Sequence, residues 1–133
     1  MNLKVNIIKE DVFILLEDVT VEVLGYRIRV KKGFDFDGAS IPQALWGVYG
    51  NPLSGKFRIA ALIHDALYVS QKLPRELADK IFLDLMKQHD VGYFKRKTMY
   101  YAVRSAGWYA WKKLTKEELE KYKEFINVEK IDS

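Results

Sequence analysis

Two short segments alternate in sequence between apolar and polar positions. Val19-Thr20-Val21-Glu22-Val23 and Tyr26-Arg27-Ile28-Arg29-Val30 repeat with period two, the signature of strands with one face in a core. Leu24-Gly25 between them suits a hairpin turn. A β-rich run, Val12-Phe13-Ile14-Leu15-Leu16-Glu17, precedes them and stops at Asp18. Residues 1–32 are therefore expected to form a small antiparallel sheet, with Thr20, Glu22, Arg27 and Arg29 on its solvated face.

Beyond residue 55 the period changes to three and four. Ile59, Ala60, Ile63, Ala66 and Leu67 mark a helix over 56–70. Pro74 opens a second helix with the stripe Leu77, Ala78, Ile81, Phe82, Leu85 and Met86, which Gly92 is expected to close. A third helix is expected from Phe94 to Leu114, with Ala102, Ala106 and Ala110 as a ridge for close packing. Thr115-Lys116-Glu117-Glu118 is a capping box for a fourth, short helix. Residues 126–133 read as a loosely held tail. The predicted fold class is α+β: a small N-terminal antiparallel sheet followed by a helical hairpin and a long C-terminal helix, all in one domain.

Residues 33–55 separate the two halves. They hold five of the eight glycines and two of the three prolines. Connections this long in compact domains usually carry function or short helical turns. A turn of helix is expected at Pro42-Gln43-Ala44-Leu45-Trp46.

Composition narrows the chemistry. The 133 residues include no cysteine and two histidines, which excludes disulfide scaffolds, thiolate metal sites and cysteine nucleophiles and disfavours a multi-histidine zinc site. The N-terminus has no apolar signal region and no run is long enough to span a bilayer, so the expected location is a reducing cytoplasm. The net charge of +4 lies entirely in residues 93–133, which carry ten basic and six acidic side chains; residues 1–92 carry twelve of each.

One constellation needs a chemical reason. His64 and Asp65 sit within an otherwise apolar helix, where an unpaired charge is costly. Adjacent helical residues point about 100° apart, so the two must serve different partners. With the interhelical break near Gln71-Lys72, an antiparallel hairpin reflects His64 onto Asp79 or Lys80. An Asp79 carboxylate on one imidazole nitrogen would fix the tautomer and support proton uptake on the other. Asp35, Asp37 and Gly38 stand in the loop just upstream, and a loop Asp and a loop carbonyl with Asp65 would form an all-oxygen set suited to Ca²⁺ or Mg²⁺, polarising a substrate beside the dyad. Plainer roles stand beside these. His64 could be a core histidine satisfied by one carboxylate, Asp37 a turn residue, Asp79 a surface partner of Arg75 or Lys80, and Tyr68 a core aromatic. Ser40 invites a Ser–His–Asp triad, but the strand-turn-helix nucleophile elbow is missing and capping the turn at Pro42 accounts for it better.

The third helix carries Lys97, Tyr101, Arg104, Trp108 and Trp111 on one face. A cationic aromatic face suits a lipid headgroup surface or single-stranded nucleic acid; core aromatics with snorkelling cations are the plainer account. No nucleic-acid module signature occurs, so no specific nucleic-acid partner is expected.

The segments FDGASIP at 36–42, AALIHDALY at 60–68, Ala78-Asp79 with Phe82, and AVRSAGW at 102–108 resemble, in order and spacing, a phage and prophage family catalogued as a domain of unknown function. The resemblance covers about residues 34–111 and implies a bacteriophage or prophage origin, hence the cytoplasm of an infected bacterial host or the virion. A more distant resemblance is chemically richer. Secreted bacterial and fungal phospholipases A2, and the phospholipase domain of parvovirus capsids, carry a His-Asp helix with Tyr three residues on, as in His64-Asp65 and Tyr68. The bacterial enzymes precede that helix with an Asp-Gly-Cys-Ser calcium loop, here Asp37-Gly38-Ala39-Ser40. This resemblance implies His64 as general base, Asp79 as its orienting partner, Asp65, Asp37 and Gly38 as calcium ligands, and Tyr68 as a supporting donor. The chain departs from those enzymes in lacking their disulfides and export signal and in its shorter hairpin.

Two functions follow as expectations. One is a calcium-dependent, phospholipase A2-like ester hydrolase, acting on a lipid or other ester at a membrane surface. The other is a non-catalytic virion, assembly or host-interaction protein that binds a phage or host protein and keeps the His–Asp pair for its packing.

Overall fold

The computed structural model describes residues 3–9, 12–42, 45 and 55–131. Six strands are present among them: β1 (Val5–Lys9), β2 (Val12–Leu15), β3 (Val19–Val23), β4 (Tyr26–Val30), β5 (Asp35–Phe36) and β6 (Ile126–Lys130). A 3₁₀ turn at Gly55–Phe57 leads into the first of four helices, α1 (Arg58–Ser70), α2 (Arg75–Gln88), α3 (Tyr93–Lys112) and α4 (Lys116–Lys123). The fold is α+β, with the N-terminal strands preceding the helices.

The strands form two three-stranded antiparallel sheets, β1-β2-β5 and β3-β4-β6, rather than the one sheet expected. Leu24 and Gly25 both have positive φ, 49° and 81°, which gives the two-residue hairpin the twist its strands need. Val19, Val21, Val23, Ile28 and Val30 face inward and are buried, while Thr20, Glu22, Arg27 and Arg29 are exposed, as the alternation predicts. Residues 126–130 are not a loose tail. They pair with β4, Ile126 opposite Val30 and Val128 opposite Ile28, and Ile126 is fully buried.

α1 is the hub of the fold. It packs against α2, α3 and α4 and against β4, β5 and β6. Every residue from Ile59 to Tyr68 is buried, the pattern of a helix surrounded on all sides. Gln71, at φ 51°, ends it in the left-handed conformation, at the break that the sequence predicts.

Two local expectations are corrected. α2 is closed by Asp90 in the left-handed region, φ 63°; Gly92 instead starts α3. The packing face of α3 is Met99, Val103 and Gly107, four residues apart, whereas Ala106 is exposed and Ala102 and Ala110 are half-buried. Of the turn expected at 42–46, Gln43, Ala44 and Trp46 lie outside the described residues; Leu45 N–H donates to the Pro42 carbonyl at 3.1 Å. The capping box holds, with Thr115 Oγ1 accepting from Glu118 N–H at 3.1 Å and the Glu118 side chain accepting from Thr115 N–H.

Ile126 is tied to the core far from its place in sequence, so its contribution is measurable. Ile126→Ala is expected to destabilise the protein by about 2–5 kcal/mol in urea denaturation, whereas a loosely held tail would leave the midpoint unchanged.

Candidate active site

His64 and Asp65 point in two directions, as adjacent residues on a helix must. The His64 ring lies between Tyr68 and Phe82, with centroids at 4.3 and 4.6 Å. Its Nε2 is 2.7 Å from Asp79 Oδ1. Its Nδ1 is 2.8 Å from Ser40 Oγ. The hairpin therefore brings His64 and Asp79 together, and the loop adds Ser40.

Asp79 has no exposed surface. Tyr68 Oη donates to Oδ1 at 2.7 Å, Arg104 Nη1 donates to Oδ2 at 2.7 Å, and Arg75 Nη1 stands 3.4 Å from Oδ2. Burial pushes its pKa upward, but bonds from His64, Tyr68 and Arg104 outweigh burial and hold it below the usual carboxylate value. Burial and the bond to Asp79 in turn raise the pKa of Tyr68. An ionised Asp79 accepts from every neighbour, so His64 Nε2 carries the hydrogen toward it. Nδ1 is left as the nitrogen that exchanges a proton with Ser40.

Asp65 turns to the loop. Its Oδ2 accepts from Gly38 N–H at 2.7 Å and its Oδ1 from Ser40 N–H at 3.2 Å; Ser40 Oγ also donates to Oδ1. Burial raises its pKa to about 6 despite those bonds. Asp37 behaves as a turn residue, its Oδ1 accepting from Ala39 N–H at 2.9 Å. Gly38, at φ 75°, gives its carbonyl to Ile41 N–H at 3.0 Å. This arrangement does not fit the expected calcium set. Asp65 already accepts from two N–H groups and a hydroxyl, the Gly38 carbonyl closes a turn, and among the described residues no group of three His, Asp or Glu side chains could hold a metal. The turn that Ser40 was expected to cap lies mostly outside the described residues; within them the Ser40 hydroxyl bridges His64 and Asp65.

A cavity of about 330 Å³ opens onto this cluster. Ser40, Asp65 and Tyr68 line it together with Phe34, Phe36, Asp35, Asp37, Val69, Tyr122 and the C-terminal end of α3 at Ala110 and Lys113. His64 and Asp79 lie behind Ser40, with no surface of their own.

The face expected on α3 divides in two. Arg104 turns inward to Asp79, and Trp111 packs edge-on against Tyr68 at 5.1 Å. Tyr101 and Trp108 stay outside, 62% and 52% exposed, and Lys97 lies over the Tyr93 ring. Sequence reasoning placed Arg104 on the outer face rather than at Asp79 and missed Gly107. Both belong to AVRSAGW, and their common motif was the available signal. A Cβ on Gly107 would overlap Tyr68 Oη and press on Arg75, so only glycine lets α3 come this close.

A family profile described as "Protein of unknown function (DUF1353)" matches residues 13–103. Uncharacterized protein y4jT of Sinorhizobium fredii (strain NBRC 101917 / NGR234) is 34% identical over 83 residues, which are 62% of this chain and 25% of that protein. The matched segment thus spans about a quarter of that relative's length. No solved structure matches the chain.

Two outcomes follow. Asp65 has a folded pKa of about 6 against an ordinary value of 3.8, so its stabilising contribution is full below pH 3.8 and is lost as pH rises through 6. That loss amounts to about 3 kcal/mol, and Asp65→Asn should flatten the slope of unfolding free energy between pH 4 and 7. Gly107→Ala should lower the melting temperature by displacing Tyr68 Oη from Asp79. Tyr68→Phe in the same chain should restore part of it, and strictly additive losses in that double-mutant cycle would count against the contact.

Proposed function

The chain belongs to the DUF1353 family of proteins of unknown function, and we propose that it is an ester hydrolase in which Ser40 attacks, His64 is the general base and Asp79 orients His64. One observation carries this reading: a continuous run of hydrogen bonds from Ser40 Oγ through both nitrogens of His64 to Asp79, with its Ser40 end on the cavity. A nucleophile, a base and an orienting carboxylate recur in this relation on unrelated folds, so the missing nucleophile elbow is no obstacle.

The steps balance. Ser40 Oγ bonds to the acyl carbon as its proton passes to His64 Nδ1. The ester C–O bond breaks and the departing alcohol takes that proton. Water then attacks the acyl-serine, giving its proton to Nδ1, and Ser40 Oγ recovers it as the acid leaves. Asp79 keeps its charge throughout and stabilises the imidazolium through Nε2–H. Phe34, Phe36 and Val69 on the cavity wall fit an acyl chain, which makes a lipid ester the substrate class of choice. Calcium has no part in this scheme, because Asp65 already has its donors. The four ordered motifs that resemble phage and prophage proteins support a phage or prophage origin.

One observation favours the non-catalytic reading: His64 and Asp79 are both 0% exposed, as a purely structural pair would be. A fluorophosphonate probe and p-nitrophenyl acyl esters separate the readings. Ser40 should be labelled, and His64→Gln should reduce ester turnover by roughly 10²- to 10⁴-fold with little change in the circular dichroism spectrum. If Ser40→Ala retains turnover and His64→Gln loses it, water is the attacking oxygen. No labelling and no turnover, with His64→Gln unfolding the chain, would sink the hydrolase.

A further inference from the structure

α3 is apolar on two opposite faces. Met99, Val103 and Gly107 are buried against the core. Phe94, Tyr101, Trp108 and Tyr109 are exposed to 82, 62, 52 and 63%. Phe94, Tyr101 and Trp108 follow one another at seven-residue intervals, which drift only about 20° per step on a helix. They make one line about 21 Å long, on the side away from the core. So large an exposed aromatic row on an otherwise well-packed chain marks a contact surface.

Charge identifies what it contacts. Residues 91–116 contain seven Lys and Arg and no Asp or Glu. Arg104 is spent on Asp79; the others leave the surface cationic, so a second copy of the same face would be repelled. Several cations sit over the aromatic rings: Lys112 over Trp108 at 6.0 Å, Lys113 over Tyr109 at 5.7 Å and Arg96 over Tyr93 at 5.3 Å. Trp108 and Tyr109 have thereby each lost a face on which a nucleic-acid base would stack. Trp and Tyr with lysines beside them are the side chains that anchor at a headgroup layer.

We propose that α3 lies flat on an anionic lipid bilayer, with Phe94, Tyr101, Trp108 and Tyr109 in the headgroup region and the lysines on lipid phosphates. This is the geometry of an interfacial helix, except that its other face is held by a folded core. The docking does not depend on turnover, and an inactive hydrolase leaves it standing.

The test is flotation of the full chain with vesicles of phosphatidylcholine alone or mixed equally with phosphatidylglycerol, in physiological salt. Binding to the anionic vesicles should exceed binding to the neutral ones at least about tenfold. Phe94→Ser, Tyr101→Ser and Trp108→Ser together should remove at least about nine-tenths of that binding without moving the melting temperature. If the triple variant does not fold, Phe94→Ser alone, at the most exposed of these sites, should still weaken binding measurably. The proposal is overturned by no binding to anionic vesicles. It is equally overturned by anionic binding that the folded variants keep, or by preferential binding of single-stranded oligonucleotide that the substitutions abolish.

Discussion

A carboxylate without access to water must be surrounded by donors or give up its charge. Asp79 meets that condition with His64 and Tyr68 from α1 and Arg104 from α3. Three helices therefore share one anion, and none can shift without stripping it of a partner. Deleting one member of such a buried set costs several kcal/mol, because the remaining charge is left uncompensated. Gly107 belongs to the same constraint: it sets how near α3 can bring Arg104. The core around it is largely apolar, and this anion fixes the register of the helices.

The second buried carboxylate is served in the opposite way. Asp65 has neutral donors, two backbone N–H groups and a hydroxyl, and burial raises its pKa to about 6. Asp79 has Arg104 and is held below the ordinary value. His64 lies between a carboxylate kept ionised and one that takes up a proton in mildly acidic solution. Environments that drive two acids apart in this manner are how folds divide proton-accepting and proton-donating roles between like residues.

What could be read from the sequence follows the range of the interactions. The β3–β4 hairpin and the four helices rest on local period and caps, and were legible. The His64–Asp79 contact was legible because a hairpin reflects its two arms about a short turn. β6 was not, because Ile126 pairs with a strand nearly a hundred residues earlier and two alternating apolar residues, Ile126 and Val128, are too few to mark a strand. Arg104 was read as surface because helical angle alone places it with Tyr101 and Trp108; only the position of α2 decides that it turns inward. Ser40 was read as a cap because its loop has no period from which a contact with His64 could be inferred.

The Ser40 hydroxyl has one hydrogen and lies between two acceptors, His64 Nδ1 and an Asp65 oxygen. If neither held a proton, one of the two contacts would set lone pair against lone pair. Both contacts are hydrogen bonds only when one further proton is shared across this trio. With that proton on Asp65, Ser40 accepts from the acid and directs its own hydrogen to Nδ1, the orientation from which an attacking oxygen is activated. With it on His64, Ser40 donates to Asp65 and the base is spent. Burial of Asp65, which looks like a defect in a calcium ligand, is what favours the first arrangement. The loop amides oppose it by favouring the carboxylate, so the depth at which the fold sets Asp65 is what aims the serine.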